Sequence, residues 1–195
     1  MSRAIARSDR IPGESYFTPD DVAARCVSTL DLDGHHLRVC EPSVGGGAFV
    51  RAIKRHTAAI RLHVTGYDLN PFAMGFDDCH KAQSGDFTSM TNGGPFDWVI
   101  GNPPYSHAEA HVRHALTLAP RCAFLLRLAF LESTKRVPFW RDNQPARVYV
   151  LAQRPSFTGG GADSAAYGWF VWDADRKGPP MLDVLDESGP LWGGR

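Results

Sequence analysis

The sequence predicts an α/β chain: a doubly wound sheet of about seven strands, finished by an antiparallel hairpin. Apolar, β-branched runs stand at Leu37–Cys40, His63–Tyr67, Phe96–Ile100, Cys122–Phe130, Arg147–Ala152 and Tyr167–Trp172, each bounded by turn or helix signals. A weaker run surrounds Gly85–Phe87. Helical stretches fall between the early runs, which gives β-α-β-α order, parallel pairing and right-handed crossovers. The last two runs are joined by RPSFTGGGADSAA, which holds no helix and reads as the long loop of a hairpin.

The first helix opens at Thr18-Pro19-Asp20-Asp21, with an N-cap, a proline in the first turn and two acids. Ala48–His56 follows a glycine cluster, and Pro71–Lys81 and His107–Leu118 are the next helical stretches. Glu132–Asp142 is a poor helix because Pro138 interrupts it. The 195 residues suit one domain, expected over 1–175, with a loosely ordered tail over 176–195 that is rich in Gly and Pro.

Composition excludes several classes. No apolar run reaches the 18 or so residues of a membrane span, and MSRAIARSDR lacks the apolar stretch of a signal peptide. The expected location is the cytoplasm, or a host's cytoplasm for a phage-encoded chain. Four scattered cysteines without a CxxC pair argue against a zinc site or a disulfide framework. Net charge is zero, yet 121–157 holds seven basic residues and two acidic ones, an excess that can track a phosphate backbone or form a solvated face.

In open α/β sheets ligands bind beyond the carboxyl ends of the strands. After the first strand comes Glu41-Pro42-Ser43-Val44-Gly45-Gly46-Gly47-Ala48-Phe49, where glycines admit a ligand close to the backbone. After the second comes Asp68-Leu69-Asn70, an acid placed to take both hydroxyls of a ribose. After the third comes Asp86-Phe87, an acceptor for an adenine amine beside a ring that can stack. The result is a nucleoside pocket. Val50 breaks the GxGxxG dinucleotide fingerprint, no GxxxxGK[ST] loop occurs, and a cradle of acids suits a cationic sulfonium better than a pyrophosphate.

The fourth strand ends in Gly101-Asn102-Pro103-Pro104-Tyr105-Ser106. The prolines remove two donors, so that the Asn102 side-chain oxygen and the Pro103 carbonyl can face outward as acceptors beside the Tyr105 ring. Two acceptors aimed at one exocyclic amine hold its hydrogens and turn its lone pair toward an electrophile. The Tyr105 face can stack on a base flipped out of a helix.

EPSVGGGAF, GYDLNP, GDF and GNPPYS, with YFTPDDVAARC ahead of them, resemble in this order the motifs of gamma-type N6-adenine DNA methyltransferases, and small phage-type members in particular. The resemblance covers roughly residues 16 to 173 and implies a Rossmann-like methyltransferase domain that uses S-adenosyl-L-methionine. It implies that Tyr16, Phe17 and Thr18 line the methionine side of that cofactor. Glu41, Pro42, Gly45, Gly47 and Phe49 would cradle its amino acid and ribose, Asp68 and Leu69 its ribose, and Asp86 and Phe87 its adenine. Asn102, Pro103, Pro104 and Tyr105 would hold the target adenine, flipped out of DNA. Phe157, in the hairpin loop, would sandwich the base opposite Tyr105, and Arg127, Arg136 and Arg154 would meet nucleic acid. Many family members carry a separate target-recognition domain, and only 22 residues follow Asp173. Site choice is therefore expected from the loops around Arg127–Arg141 and Arg154–Ser164, or from a partner.

His107, His111 and His114 share one helical face, but no cysteine or carboxylate clearly joins them, and they read as a polar face with no metal. Two enzyme alternatives stay open: an RNA adenine methyltransferase and a protein-glutamine methyltransferase, which share the Asn-Pro-Pro-Tyr element. A third is a catalytically silent nucleic-acid-binding protein on the same fold.

Overall fold

The computed structural model describes residues 17–91, 93–157 and 163–192. Their core is one sheet in the order β3-β2-β1-β4-β5-β7-β6-β8-β9. β1 (His36–Glu41), β2 (Arg61–Asp68), β3 (Lys81–Ser84), β4 (Trp98–Gly101) and β5 (Arg121–Arg127) are mutually parallel. β7 (Tyr167–Asp173) runs antiparallel between β5 and β6 (Arg147–Leu151), the expected hairpin.

Side chains alternate between the two faces of the sheet. Val39, Ile100, Leu125 and Trp169 meet α1 (Asp20–Val27) and α2 (Ala48–His56) on one face. Cys40, Val99, Phe124 and Phe170 meet α3 (Ala108–Leu118) and the Phe139 ring of α4 (Val137–Asp142) on the other. Central strands buried on both faces explain why the sequence reads as continuous apolar runs there. β1 has β2 on one side and β4 on the other, so strand order reverses between β1 and β4, and a crevice opens beyond their carboxyl ends.

Four expectations are corrected. Pro71–Lys81 is no α-helix; it holds a short 3-10 turn at Met74–Asp78. Gly75 donates to the Gly45 carbonyl at 3.0 Å, and its Cα lies so close to Gly47 that the segment is moulded to the glycine loop. The third strand, expected at Gly85–Phe87, is Lys81–Ser84, and Phe87–Ser89 is a 3-10 turn capped by Asp86. The fifth strand ends at Arg127, and Leu128–Leu131 turns away as a 3-10 segment. Pro138 stands in the first turn of α4, where no donor is required, and so starts that helix instead of breaking it.

The tail is also more regular than expected. β8 (Met181–Asp186) pairs in parallel with β6, and β9 (Gly189–Pro190) folds back on β8. Leu185 is fully buried, and the Asp183 carboxylate accepts from the amides of Val184 and Trp192. Among the described residues, no helix is long and apolar enough to cross a membrane.

Candidate active site

The glycine loop after β1 is held from three sides. Val44 donates to the Tyr67 carbonyl at 2.9 Å, Gly47 to Val44 at 2.8 Å, and Gly45 to Asp68 Oδ2 at 2.8 Å. The Arg51 guanidinium then braces it, donating to the Gly46 carbonyl and pairing with Asp20 of α1 and Asp78 of the 3-10 turn at 2.6–2.7 Å. Gly47 has φ of 81°, and a Cβ there would meet Asp78 Oδ2 at 2.6 Å, so this residue has to be glycine.

A cleft of about 590 Å³ lies above this loop, lined on one side by Phe17, Pro42, Gly45, Asp68, Leu69, Asp86 and Phe87. Asp68 uses Oδ1 for the Asn70 amide and Oδ2 for Gly45, which fixes both oxygens at the cleft wall while leaving each a further lone pair. Asp86 caps its own turn, accepting from the Thr88 amide and hydroxyl at 2.8 Å, and these bonds hold its carboxyl below the usual range. The Phe87 ring is 2% exposed, stacked on His111 and edge-on to His114 and Tyr67. It is a wall more than a free platform, and two of the three helix-face histidines are there to pack it. Burial pushes the His111 imidazole toward its neutral form.

The other side of the cleft is Asn102, Pro103, Pro104, Tyr105, Ser106, His107, His111, Arg127 and Asp163. Asn102 follows β4 directly. An Asn side chain usually bonds a backbone amide one or two positions on, but Pro103 and Pro104 have none to offer. Instead Asn102 Nδ2 donates to Thr18 Oγ1 at 3.0 Å, and Oδ1 is buried with no hydrogen-bond partner. A buried acceptor left open is costly in a folded protein and points to a ligand donor. The Tyr105 ring lies 4.9 Å from the Arg127 guanidinium and 5.6 Å from the Tyr167 ring. Burial, then proximity to Tyr167, pushes its phenol far above the usual range. Tyr167 donates to Asp163 at 2.8 Å, Arg127 stands within 4.0 Å of the same carboxylate, and Phe157 packs edge-on against Tyr167.

Beneath this floor lies Glu41, 1% exposed, accepting from the Ser43 amide at 3.0 Å. Burial, with the Asp68 charge adding to it, raises its carboxyl to about 8. Its carboxylate fills the space that a side chain at residue 101 would need: a Cβ there would meet Oε1, Cδ and Oε2.

The expected residues therefore divide. Phe17, Pro42, Gly45, Asp68, Leu69, Asp86, Phe87, Asn102, Pro103, Pro104, Tyr105 and Arg127 share one cleft. Glu41 and Gly47 shape it from below. Phe49 does not reach it: the ring is 3% exposed and stacks on Trp169 in the core at 5.5 Å. Thr18 caps no helix and is not among the residues lining the cleft, so the placement beside the cofactor's methionine is corrected; its hydroxyl serves Asn102. Arg136 is spent on the carbonyls of Ala129, Phe130 and Glu132, and Arg154 on that of Ser164. Tyr16 and the loop glycines Gly159–Gly161 lie outside the described residues. Sequence reasoning missed Asp163 and Tyr167, although an acid closing a glycine-rich loop just before a strand is a readable signal.

No protein-family model matches the chain. Solved structures do. A Listeria monocytogenes protein assigned as a class I S-adenosylmethionine-dependent methyltransferase aligns with a TM-score of 0.67 at 15% identity, over 91% of this chain and 68% of its own. The type I restriction-modification methyltransferase subunit of Streptococcus thermophilus aligns with a TM-score of 0.72 at 16% identity, over 86% of this chain and 47% of its own. A Pyrococcus horikoshii protein assigned as an RNA methyltransferase aligns with a TM-score of 0.65 at 15% identity, over 82% and 87%. The fold is thus the Rossmann-like fold of class I S-adenosylmethionine-dependent methyltransferases. The chain spans about half the length of the restriction-modification subunit, at 47%.

Proposed function

We propose that this protein transfers a methyl group from S-adenosyl-L-methionine to the exocyclic N6 amine of adenine in DNA. The observation that carries the reading is the open, buried Oδ1 of Asn102 at the switch-point cleft. It accepts no hydrogen bond within the protein, and an exocyclic amine can supply one.

The cleft suits the cofactor as well. Asp68 can accept two ribose hydroxyls with its remaining lone pairs, Asp86 an adenine amine, and Phe17 lies over Gly45 and Gly46 at the end where the amino acid portion would rest. When bound, the cofactor supplies an electrophilic methyl group on a positively charged sulfur. The protein's part is to position the acceptor. Asn102 Oδ1 and the Pro103 carbonyl would take the two amine hydrogens, which draws the nitrogen lone pair out of conjugation with the ring. Tyr105 would stack on the base, with Arg127 and Asp163 beside it. The proton leaves after transfer, so no strong base is needed, and catalysis rests on orientation and fixed dipoles. Extrahelical capture of the base brings it to a cleft that a duplex cannot enter.

DNA is favoured over RNA by the motif order, and the fold is one that the restriction-modification subunit shares. An RNA adenine presents the same edge, and the fold likeness to the Pyrococcus horikoshii protein keeps that as the second reading. The test is incubation with S-adenosylmethionine and unmethylated genomic DNA, followed by nucleoside mass spectrometry. N6-methyladenine is expected from the wild type and none from Asn102→Ala, whose cofactor affinity stays near normal. Full turnover by Asn102→Ala would refute the assignment. Product on RNA alone would transfer the reading to that polymer.

A further inference from the structure

We infer that Thr18 is a positioning residue for Asn102, holding its carboxamide so that Oδ1 meets the target amine; this rests on the amine-methylation reading above. Four observations converge. The Thr18 hydroxyl accepts from Asn102 Nδ2 at 3.0 Å across 84 positions of sequence. Pro103 and Pro104 have no N–H to offer the Asn102 oxygen, and Nδ2 donates to the Thr18 hydroxyl, which anchors the carboxamide from the far side of the cleft. Asn102 Oδ1 is left buried and open. Thr18 is itself held on both flanks. The Phe17 ring lies on the glycine loop, where a Cβ at Gly46 would meet it at 3.0 Å, and Asp20 is paired to Arg51 at 2.6 Å.

The segment 17–20 thus runs from the glycine loop to the catalytic asparagine and ties the two halves of the cleft together. A rotated carboxamide would present Nδ2 to a substrate amine, two donors face to face, and the amine hydrogens would lose one acceptor. The Thr18 bond fixes the amide plane in advance, and because a hydroxyl can accept or donate, the amine's own hydrogens then select the orientation with Oδ1 outward. The Thr18 hydroxyl is not among the groups that line the cleft, so its loss is expected to fall on turnover and not on cofactor binding.

The experiment uses full-length protein with S-adenosylmethionine and unmethylated genomic DNA, and compares Thr18→Val, Thr18→Ser and wild type. Thr18→Val is expected to lower kcat about tenfold or more while leaving KM for the cofactor within about twofold, the scale of one lost positioning hydrogen bond. Thr18→Ser, which keeps the hydroxyl, restores kcat. A second readout needs no activity: the Asn102 side-chain amide pair in a 15N correlation spectrum, identified by its loss in Asn102→Asp. One amide proton should be protected from exchange in wild type and Thr18→Ser and exposed in Thr18→Val. Wild-type turnover by Thr18→Val, or an unchanged amide pair, overturns the inference; if Thr18→Val fails to fold, Thr18→Ala carries the same comparison. A wild type that makes no methylated adenine defeats the amine reading instead, and the amide spectrum still decides the role of Thr18.

Discussion

Replacing Gly101 by alanine tests how the floor of the cleft is built. In an ordinary strand that change is mildly stabilising, by about 0.5–1 kcal/mol, because glycine has more freedom to lose on folding. Here the added methyl would meet the Glu41 carboxylate, with Cδ at 2.8 Å and Oε2 at 3.0 Å. Glu41 is 1% exposed and anchored to the Ser43 amide, so it cannot swing into solvent. Overpacking costs about 1–3 kcal/mol and loss of the Ser43 bond about 1 kcal/mol, so Gly101→Ala should destabilise by about 2–4 kcal/mol. For a domain of this size that lowers Tm by roughly 4–16 °C. The assay is calorimetric melting of four proteins: wild type, Gly101→Ala, Glu41→Ala and the double variant. Glu41→Ala vacates the space, so in that background Gly101→Ala should be neutral or slightly stabilising, a change of sign from the wild-type background. Equal costs in both backgrounds would refute the argument, as would an unchanged Tm for Gly101→Ala alone.

Three further outcomes are expected. Glu41 has a folded pKa of about 8 against an ordinary 4.5, so the folded state binds the extra proton. Its contribution is fully present below about pH 4.5 and is lost as pH rises through 8, at up to about 1.4 kcal/mol per pH unit. Denaturant titrations should show stability falling across that window, and Glu41→Gln should flatten the fall; equal slopes would contradict the burial argument. Asp68→Ala should weaken cofactor binding by about 1–3 kcal/mol in a calorimetric titration, and an unchanged isotherm would remove Asp68 from the ribose site. Phe49→Ala should destabilise by about 3–5 kcal/mol through the cavity left beside Trp169, yet leave cofactor affinity of the folded protein unchanged; lost affinity at full folding would return Phe49 to the cleft.

What the sequence makes legible follows from locality. Strands buried on both faces announce themselves as apolar runs, and the residues at their carboxyl ends can be read in order: Gly45, Asp68, Asp86 and Asn102 all reach the cleft. Phe49 misleads because it sits next to the glycines in sequence, while helical geometry turns it inward onto Trp169. The segment 71–81 has helical composition, but Gly75 is recruited by the Gly45 carbonyl, a tertiary contact that overrides local preference. β8 depends on β6, some thirty positions away, and carries little pattern of its own. Thr18 looks like a helix cap, and only the fold brings it to a partner 84 positions on.

The carboxylate of Asp68 bonds the Gly45 amide on one loop and the Asn70 amide on the next. A group that lines the cleft is thereby also the rivet that sets the shape of its wall. On the proposed reading, the cofactor enters a cradle already in its final form, and little loop entropy is lost on binding. Methyl donor and spent product would then find the same rigid contour. Telling them apart falls to the positive charge on sulfur, felt at short range by an acid-rich wall, and not to any closing movement of the loop.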